Sequence, residues 1–321
     1  MLAAEVKPDA ILGQLRELWT GLGKQQNLPG GVLRACSMTL LVTASDDAGD
    51  ISQVHSWIGE LMHQHPSRAI ILTPTNAGDI SARVFSECWR PYHSRQQICS
   101  EGVEIGFDPE RSDELARFLV PLLAPDLPTV LWCRGARPFL DRSFDPLFPL
   151  ARKVIFDSNA ARHAPGAIEF LRRLRRDRLR VADLAWTRLT SWRQAVAHGC
   201  EGYMNQDLAV QFPNAAVVHQ GSRASSAAVY LARWIERCVH GLSVNLQPAS
   251  NSGHEEDGGQ IREVRFIGPA GQMIFRTVDG LIQVEGCHQK HFVAPALSDE
   301  KLMRDELSIL DQDPVFERVL G

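Results

Sequence analysis

Apolar residues recur every three to four positions at Ile11, Leu12, Leu15, Leu18 and Trp19, which predicts an amphipathic first helix over 9–19. The apolar run 32–44 reads as a strand. Asp50 has the form of a helix N-cap, with Gln53 at the capping-box position. The helix behind it sets Ile51, Val54, Trp57, Ile58, Leu61 and Met62 on one stripe, and His65-Pro66 ends it. A short strand, 69–72, follows at once. Strand, helix and strand in that order form a crossover unit, so the two strands should run parallel.

Two extended segments come next, 82–89 and 95–107, and alternation at Val103, Ile105 and Phe107 predicts one wet face for the second. Asp108-Pro109 opens a helix carrying Leu115, Phe118, Leu119 and Leu122. The stiff turn Pro125-Asp126-Leu127-Pro128 delivers a strand over 129–133, and another strand lies at 153–156. Asp157-Ser158 then sits at a strand's C-terminal end, where open α/β sheets place ligand contacts. Helices are predicted over 168–176 and 183–197, a short one near Gln206, then a strand at 215–219 and a helix at 225–240. The segment 248–260, rich in Gly, Ser and Glu, reads as a mobile surface loop. Strands at 261–267, 272–277 and 281–285 follow, with Asp279-Gly280 as a hairpin turn, and two short helices close the chain. The pattern predicts an α/β protein of two domains. Residues 1–165 would hold a mixed, mostly parallel sheet flanked by helices, and residues 166–321 a smaller α+β domain.

Charge narrows the function. The net charge of the 321 residues is −4, with 34 Lys and Arg against 38 Asp and Glu, which does not suit a general nucleic-acid binder. The longest apolar stretches are far short of a membrane span, and no secretory pattern opens the sequence, so a cytoplasmic location without membrane contact is expected. Seven widely spaced cysteines with no CxxC argue against a disulfide framework or a structural zinc site and are read as free thiols.

Searches for nucleotide, phosphate, metalloprotease and nucleophile-elbow motifs find none, so no enzyme activity and no cofactor are expected. His63 and His65 form an HxH pair with no evident third ligand, read as a solvated helix end. The loop holding Gly221, Ser222, Arg223 and Ser225 joins a strand to a helix start, where backbone N–H groups suit an anion; the favoured reading is that Ser225 simply caps the helix. Six arginines between 172 and 180 fit a helix C-terminus, a docking patch for an acidic partner, or, third, nucleic acid. Trp186 and Trp192, with Arg188 and Arg193, fit either a core or a protein–protein hot spot.

Five segments carry a resemblance: His65-Pro66-Ser67-Arg68-Ala69-Ile70, Arg95-Gln96-Gln97-Ile98-Cys99-Ser100-Glu101, Pro125-Asp126-Leu127-Pro128-Thr129-Val130-Leu131-Trp132, Ile155-Phe156-Asp157-Ser158, and 183–193 from Asp183 to Arg193. In this order the chain resembles the OpcA family of glucose-6-phosphate dehydrogenase assembly proteins, most clearly over roughly residues 35–200. The resemblance implies a non-catalytic partner that binds glucose-6-phosphate dehydrogenase, favours its active oligomer and serves NADPH supply in the oxidative pentose phosphate pathway. Photosynthetic relatives are linked to thioredoxin-dependent control, for which these cysteines offer no obvious dithiol. Partner-binding candidates are Arg68, Arg95, Gln96, Trp132, Arg188, Trp192 and Arg193, each also open to an internal ion pair or core role. The alternative is a sugar-phosphate or nucleotide enzyme or sensor using Asp157, Ser158 and the 221–226 loop.

Overall fold

The computed structural model describes residues 6–24, 31–45, 48–75, 80–93, 95–203, 208–249, 259–269, 271–286, 290–295 and 297–321. The chain divides into two compact units. The first is Met1–Phe156 with Asp177–Ala182 and Met303–Asp311; the second is Asp157–Arg176, Asp183–Leu302 and Gln312–Gly321.

The elements of the first part of the chain are α1 (Pro8–Gly23), β1 (Val32–Arg34), β2 (Met38–Thr43), α2 (Ala48–Met62), β3 (Ser67–Pro74), β4 (Ser81–Trp89) and β5 (Gln97–Phe107). They continue with α3 (Ser112–Leu119), β6 (Thr129–Trp132), α4 (Arg137–Leu140) and β7 (Lys153–Phe156). With β8 (Val181–Asp183) the strands make one sheet in the order β1-β5-β3-β2-β6-β7-β8, and β4 lies beside β5. Along this order the pairs from β1 to β7 are all parallel, whereas β4 runs antiparallel to β5. Every residue of β2 and β3 is buried, as parallel strands covered on both faces require. Two hydroxyls on β2 use that burial: Thr39 accepts from the Ala124 N–H and Thr43 from the Arg134 N–H, each at 2.9 Å. The strand thereby fixes two loops without leaving a polar atom unpaired.

The second part of the chain adds α5 (Ala164–Arg176), α6 (Leu184–Thr187), α7 (Thr190–Cys200), α8 (Leu208–Gln211), β9 (Asn214–His219) and α9 (Ser226–Cys238). Strands β10 (Ser243–Pro248), β11 (Ile261–Gly268), β12 (Gly271–Val278), β13 (Leu281–Glu285) and β14 (Lys290–Val293) follow, then α10 (Asp299–Leu307) and α11 (Pro314–Leu320). The sheet here runs β10-β9-β11-β12-β13-β14, with β10 parallel to β9 and the other pairs antiparallel. Asp279 and Gly280 both have positive φ, at 48° and 75°, which is the twist a two-residue hairpin needs between β12 and β13.

Several expectations change. The run 32–44 is two strands, not one. Helix α2 begins at Ala48, and Asp50 is not its cap; its carboxylate instead accepts from the Ser45 N–H at 2.8 Å and pairs with Arg134. β5 keeps the expected alternation only over 103–107, where Val103, Ile105 and Phe107 are buried and Glu104 and Gly106 partly exposed; residues 99–103 are all buried, so no wet face runs the length of the strand. Gly102 is essential to that packing, since a Cβ there would sit 2.1 Å from the Phe85 ring on the opposite strand. The helix predicted over 183–197 is broken at Arg188-Leu189 into α6 and α7, and Asp183 caps the first piece. The short helix near Gln206 and the heart of the 248–260 loop lie outside the described residues, as does Cys287.

The free-thiol reading is corrected at one pair. Cys88 and Cys99 stand directly opposite on β4 and β5 and form a disulfide. Sequence spacing could not show this, because two cysteines at a sequence separation of 11 become neighbours only once the hairpin exists. Closing a loop of that length removes denatured-state entropy equivalent to about 3 kcal/mol. Replacing both residues by Ala should lower unfolding stability by up to about 3 kcal/mol in denaturant titration. Peptide mapping without reductant should recover the Cys88–Cys99 cross-link in the parent chain.

Candidate interaction site

In the first unit, two of the recognisable segments meet at a buried carboxylate. Arg68 on β3 donates through Nε to Glu101 on β5 at 2.6 Å, and Arg34 on β1 reaches the same oxygen at 2.7 Å. The Trp19 indole N–H donates to the other oxygen. Arg68 also donates through Nη1 to the Leu122 carbonyl at 2.8 Å. Burial by itself would raise the Glu101 pKa; the Trp19 donor and the Arg68 and Arg34 charges outweigh it and hold the carboxyl below the usual glutamate range. Arg68 therefore has an internal partner and is buried. Trp132, on β6, is 1% exposed; its ring lies 5.9 Å from that of Trp57, and the Arg134 guanidinium packs against both, 5.5 and 4.7 Å from the ring centres.

In the second unit a second knot forms. Asp183 accepts from the Ser158 and Ala185 backbone N–H groups at 3.0 and 2.9 Å, from the Ser158 hydroxyl at 2.5 Å and from the Tyr230 hydroxyl at 2.9 Å. Ser158 is fully buried, and its carbonyl accepts from the Ser226 hydroxyl of α9 at 3.2 Å. Arg188 closes the cluster by pairing with Asp157 through two nitrogens, at 3.3 and 3.0 Å. Asp157 and Ser158 thus hold the fold together at the strand end where ligand contacts are often found. Burial first, and then the Asp157 charge, push the Asp183 carboxyl up to about 6, against the hydrogen bonds from Ser158 and Ala185.

The other candidates follow the same trend. Trp192 is buried, and Arg193 stacks on Trp186 at 3.9 Å while Trp186 donates to Asp313 at 2.8 Å. The arginine run is largely engaged within the chain. Arg172 and Arg175 donate to the carbonyls of Leu320 and Glu317, Arg176 pairs with Glu169, and Arg180 with Asp311. In the 221–225 loop, Gly221 is buried with φ 80°, and Ser222 and Arg223 are exposed. The α9 start already has acceptors: Asn159 takes the Ala227 N–H at 3.1 Å and the Ser225 hydroxyl takes the Ala228 N–H at 3.2 Å. Ser225 therefore caps the helix, and its own proton goes to the Gly259 carbonyl.

Among the described residues, no group of three or more His, Cys, Asp or Glu is arranged to hold a metal ion, and no helix is long and apolar enough to cross a membrane. His63 packs on the Trp89 ring with centroids 5.0 Å apart. An apolar cavity of about 450 Å³ opens between α7 and α9, walled by Val196, Tyr203, Trp234, Ile235 and Phe266. Of the partner candidates, Arg95 and Gln96 are the exposed ones, at the turn of the β4–β5 hairpin. The same turn exposes Tyr92 by 91%, a residue the sequence reading passed over. The signal available was an aromatic between Pro91 and His93 in a loop that carries Arg90 and Arg95.

A family model described as the N-terminal domain of a glucose-6-phosphate dehydrogenase subunit matches residues 59–176, and its C-terminal counterpart matches 179–320. The candidate OxPP cycle protein OpcA of Synechococcus elongatus is 27% identical over 212 residues, 63% of this chain and 45% of that protein. The protein of the same description from Synechocystis sp. is 21% identical over 222 residues, 68% of this chain and 45% of its own length. The match thus spans under half the length of these relatives. Among solved structures, biliverdin reductase from Synechocystis sp. superposes with a TM-score of 0.46 at 9% identity, covering 88% of this chain and 95% of that one. Levoglucosan dehydrogenase does so with a TM-score of 0.45 at 9% identity, covering 86% and 89%.

The Asp183 knot has a testable pH signature. A carboxyl whose folded pKa, about 6, exceeds its ordinary value of 3.8 holds its proton more tightly when folded. Its contribution is full below about pH 4 and is lost as the pH rises towards 6, at most about 3 kcal/mol for the two-unit gap. Asp183→Asn keeps an acceptor for the two backbone donors and carries no charge. Between pH 4 and 7, denaturant titrations should therefore show the parent losing stability relative to this variant; parallel profiles would contradict the assignment. Asp183→Ala should destabilise the fold at every pH by several kcal/mol, because buried donors lose their acceptor.

Proposed function

The chain belongs to the OpcA family of glucose-6-phosphate dehydrogenase assembly proteins, and from that premise we propose that it is a non-catalytic assembly factor and activator of that dehydrogenase. The observation that carries the reading is the pair of family matches, which together run from residue 59 to 320 with only two residues between them. Its partner is the dehydrogenase, and its setting is the oxidative pentose phosphate pathway.

The side-chain chemistry is consistent with this role. Ser158 and Asp183, the pair most like a nucleophile and its acid–base partner, are both buried and hydrogen-bonded to each other and to Tyr230. The backbone donors at the start of α9 that would meet a phosphate already serve Asn159 and Ser225, which weakens the sugar-phosphate reading. An activator needs no reacting group. It must bind the active oligomer of its partner more tightly than the inactive one, since equal affinity shifts nothing. A tenfold rise in the active fraction at low occupancy requires about 1.4 kcal/mol of differential affinity, within reach of a few surface contacts.

The test is an activity assay of the host's glucose-6-phosphate dehydrogenase titrated with the purified chain, alongside co-purification of the two. A saturable rise in dehydrogenase activity, with no turnover of glucose 6-phosphate by the chain alone, is expected. An unchanged rate across the titration with no co-purification would refute the reading, as would turnover by the isolated chain.

A further inference from the structure

Many arginines of this chain are ion-paired within it, as Arg34, Arg68, Arg134, Arg176 and Arg188 illustrate. Arg90 and Arg95 are both exposed and, like Arg117 and several other exposed arginines, make no ion pair among the described residues; what sets these two apart is the aromatic ring they flank. They flank Tyr92, which at 91% is the most exposed large apolar side chain among those residues. Between Glu87 and Glu101 the sequence holds no acid, so this turn is a local positive site on a chain of net charge −4.

The base of the turn is also held in shape. One rung below it, Cys88 and Cys99 are covalently joined across β4 and β5, and Trp89 opposite Ile98 forms the last rung. The Trp89 ring lies against His63, in the turn just after α2. Beyond that rung, Pro91 restricts the backbone. His93 takes the left-handed conformation, φ 61°, and its ring lies 4.0 Å from that of Tyr92. A non-glycine residue in that region is uncommon and persists where surrounding structure imposes it. Tyr and Arg are the side chains most enriched where a few residues dominate protein–protein affinity, and a pre-ordered loop loses less freedom on binding than a floppy one.

We propose that the tip of the β4–β5 hairpin, Arg90 to His93 with Arg95, is a docking element for an acidic protein surface that has an apolar notch for the Tyr92 ring. This rests on the reading above and names the chemistry of the dehydrogenase face that this chain meets. The arginines steer the encounter and set its salt dependence, and Tyr92 supplies the buried anchor.

Equilibrium binding of the full chain to the purified dehydrogenase, at two salt concentrations, tests this. Tyr92→Ala should weaken binding roughly thirtyfold, the size of a hot-spot truncation. The double change Arg90→Glu and Arg95→Glu should weaken it further and flatten its salt dependence. Arg117→Glu, the same type of charge reversal at an exposed site on α3, should stay within about twofold of the parent. All three should keep the parent's circular dichroism and unfolding midpoint, because the side chains are exposed. If the parent binds and both tip variants bind equally well, the docking element is wrong while the assembly role stands. If the parent itself does not bind, both fall.

Discussion

A carboxylate can leave water only when hydrogen-bond donors replace the solvent around it, and each unit of this protein is organised around one such group. Asp183 gathers donors from the 158–160 turn, from the start of α6 and from α9. Glu101 gathers them from α1, β1 and β3. Removing either carboxylate would strand several buried donors together, so these are points where many elements depend on one side chain. Four of the five recognisable stretches contribute residues to these two knots: Arg68, Glu101, Asp157 with Ser158, and Asp183 with Arg188. Their residues are therefore explained by architecture before any binding role is considered.

That assignment shifts attention to what the architecture leaves outside. The residues that look most reactive on paper, Asp157, Ser158 and Asp183, are hydrogen-bonded into the interior. The arginine run next to them ties α5 to the carbonyls of α11. What remains available is surface chemistry: a braced turn with an exposed aromatic between two arginines. A protein that acts by touching another protein has no need of more, provided the contact discriminates between states of its partner.

Much of the fold was legible from residue pattern. The β2-α2-β3 crossover, the strand at Lys153–Phe156, the Ser225 cap and the Asp279-Gly280 hairpin all follow from local rules, because periodicity and turn chemistry report on neighbours in the chain. What was not legible depended on distant partners. β1, β10 and β14 are short edge or flanking strands with weak alternation of their own. The break between α6 and α7 leaves a helical pattern almost unchanged in sequence, yet it lets Asp183 cap α6 while Arg188 turns to Asp157. The Cys88–Cys99 bond exists only because of strand register. At the candidate site, sequence similarity pointed to Arg95 and Gln96, but nothing local separated them from Arg68 and Trp132, which tertiary contacts bury. Tyr92 was missed because one aromatic in a loop has no period to mark it.

The most direct test is hydrogen exchange of this chain with and without the dehydrogenase, followed peptide by peptide. The account predicts slowed exchange in peptides that cover the turn between β4 and β5, with the slow core of β2 and β3 unaltered. Exchange that stays the same along the whole chain at saturating dehydrogenase, or protection confined to the buried surroundings of Asp183, would contradict it.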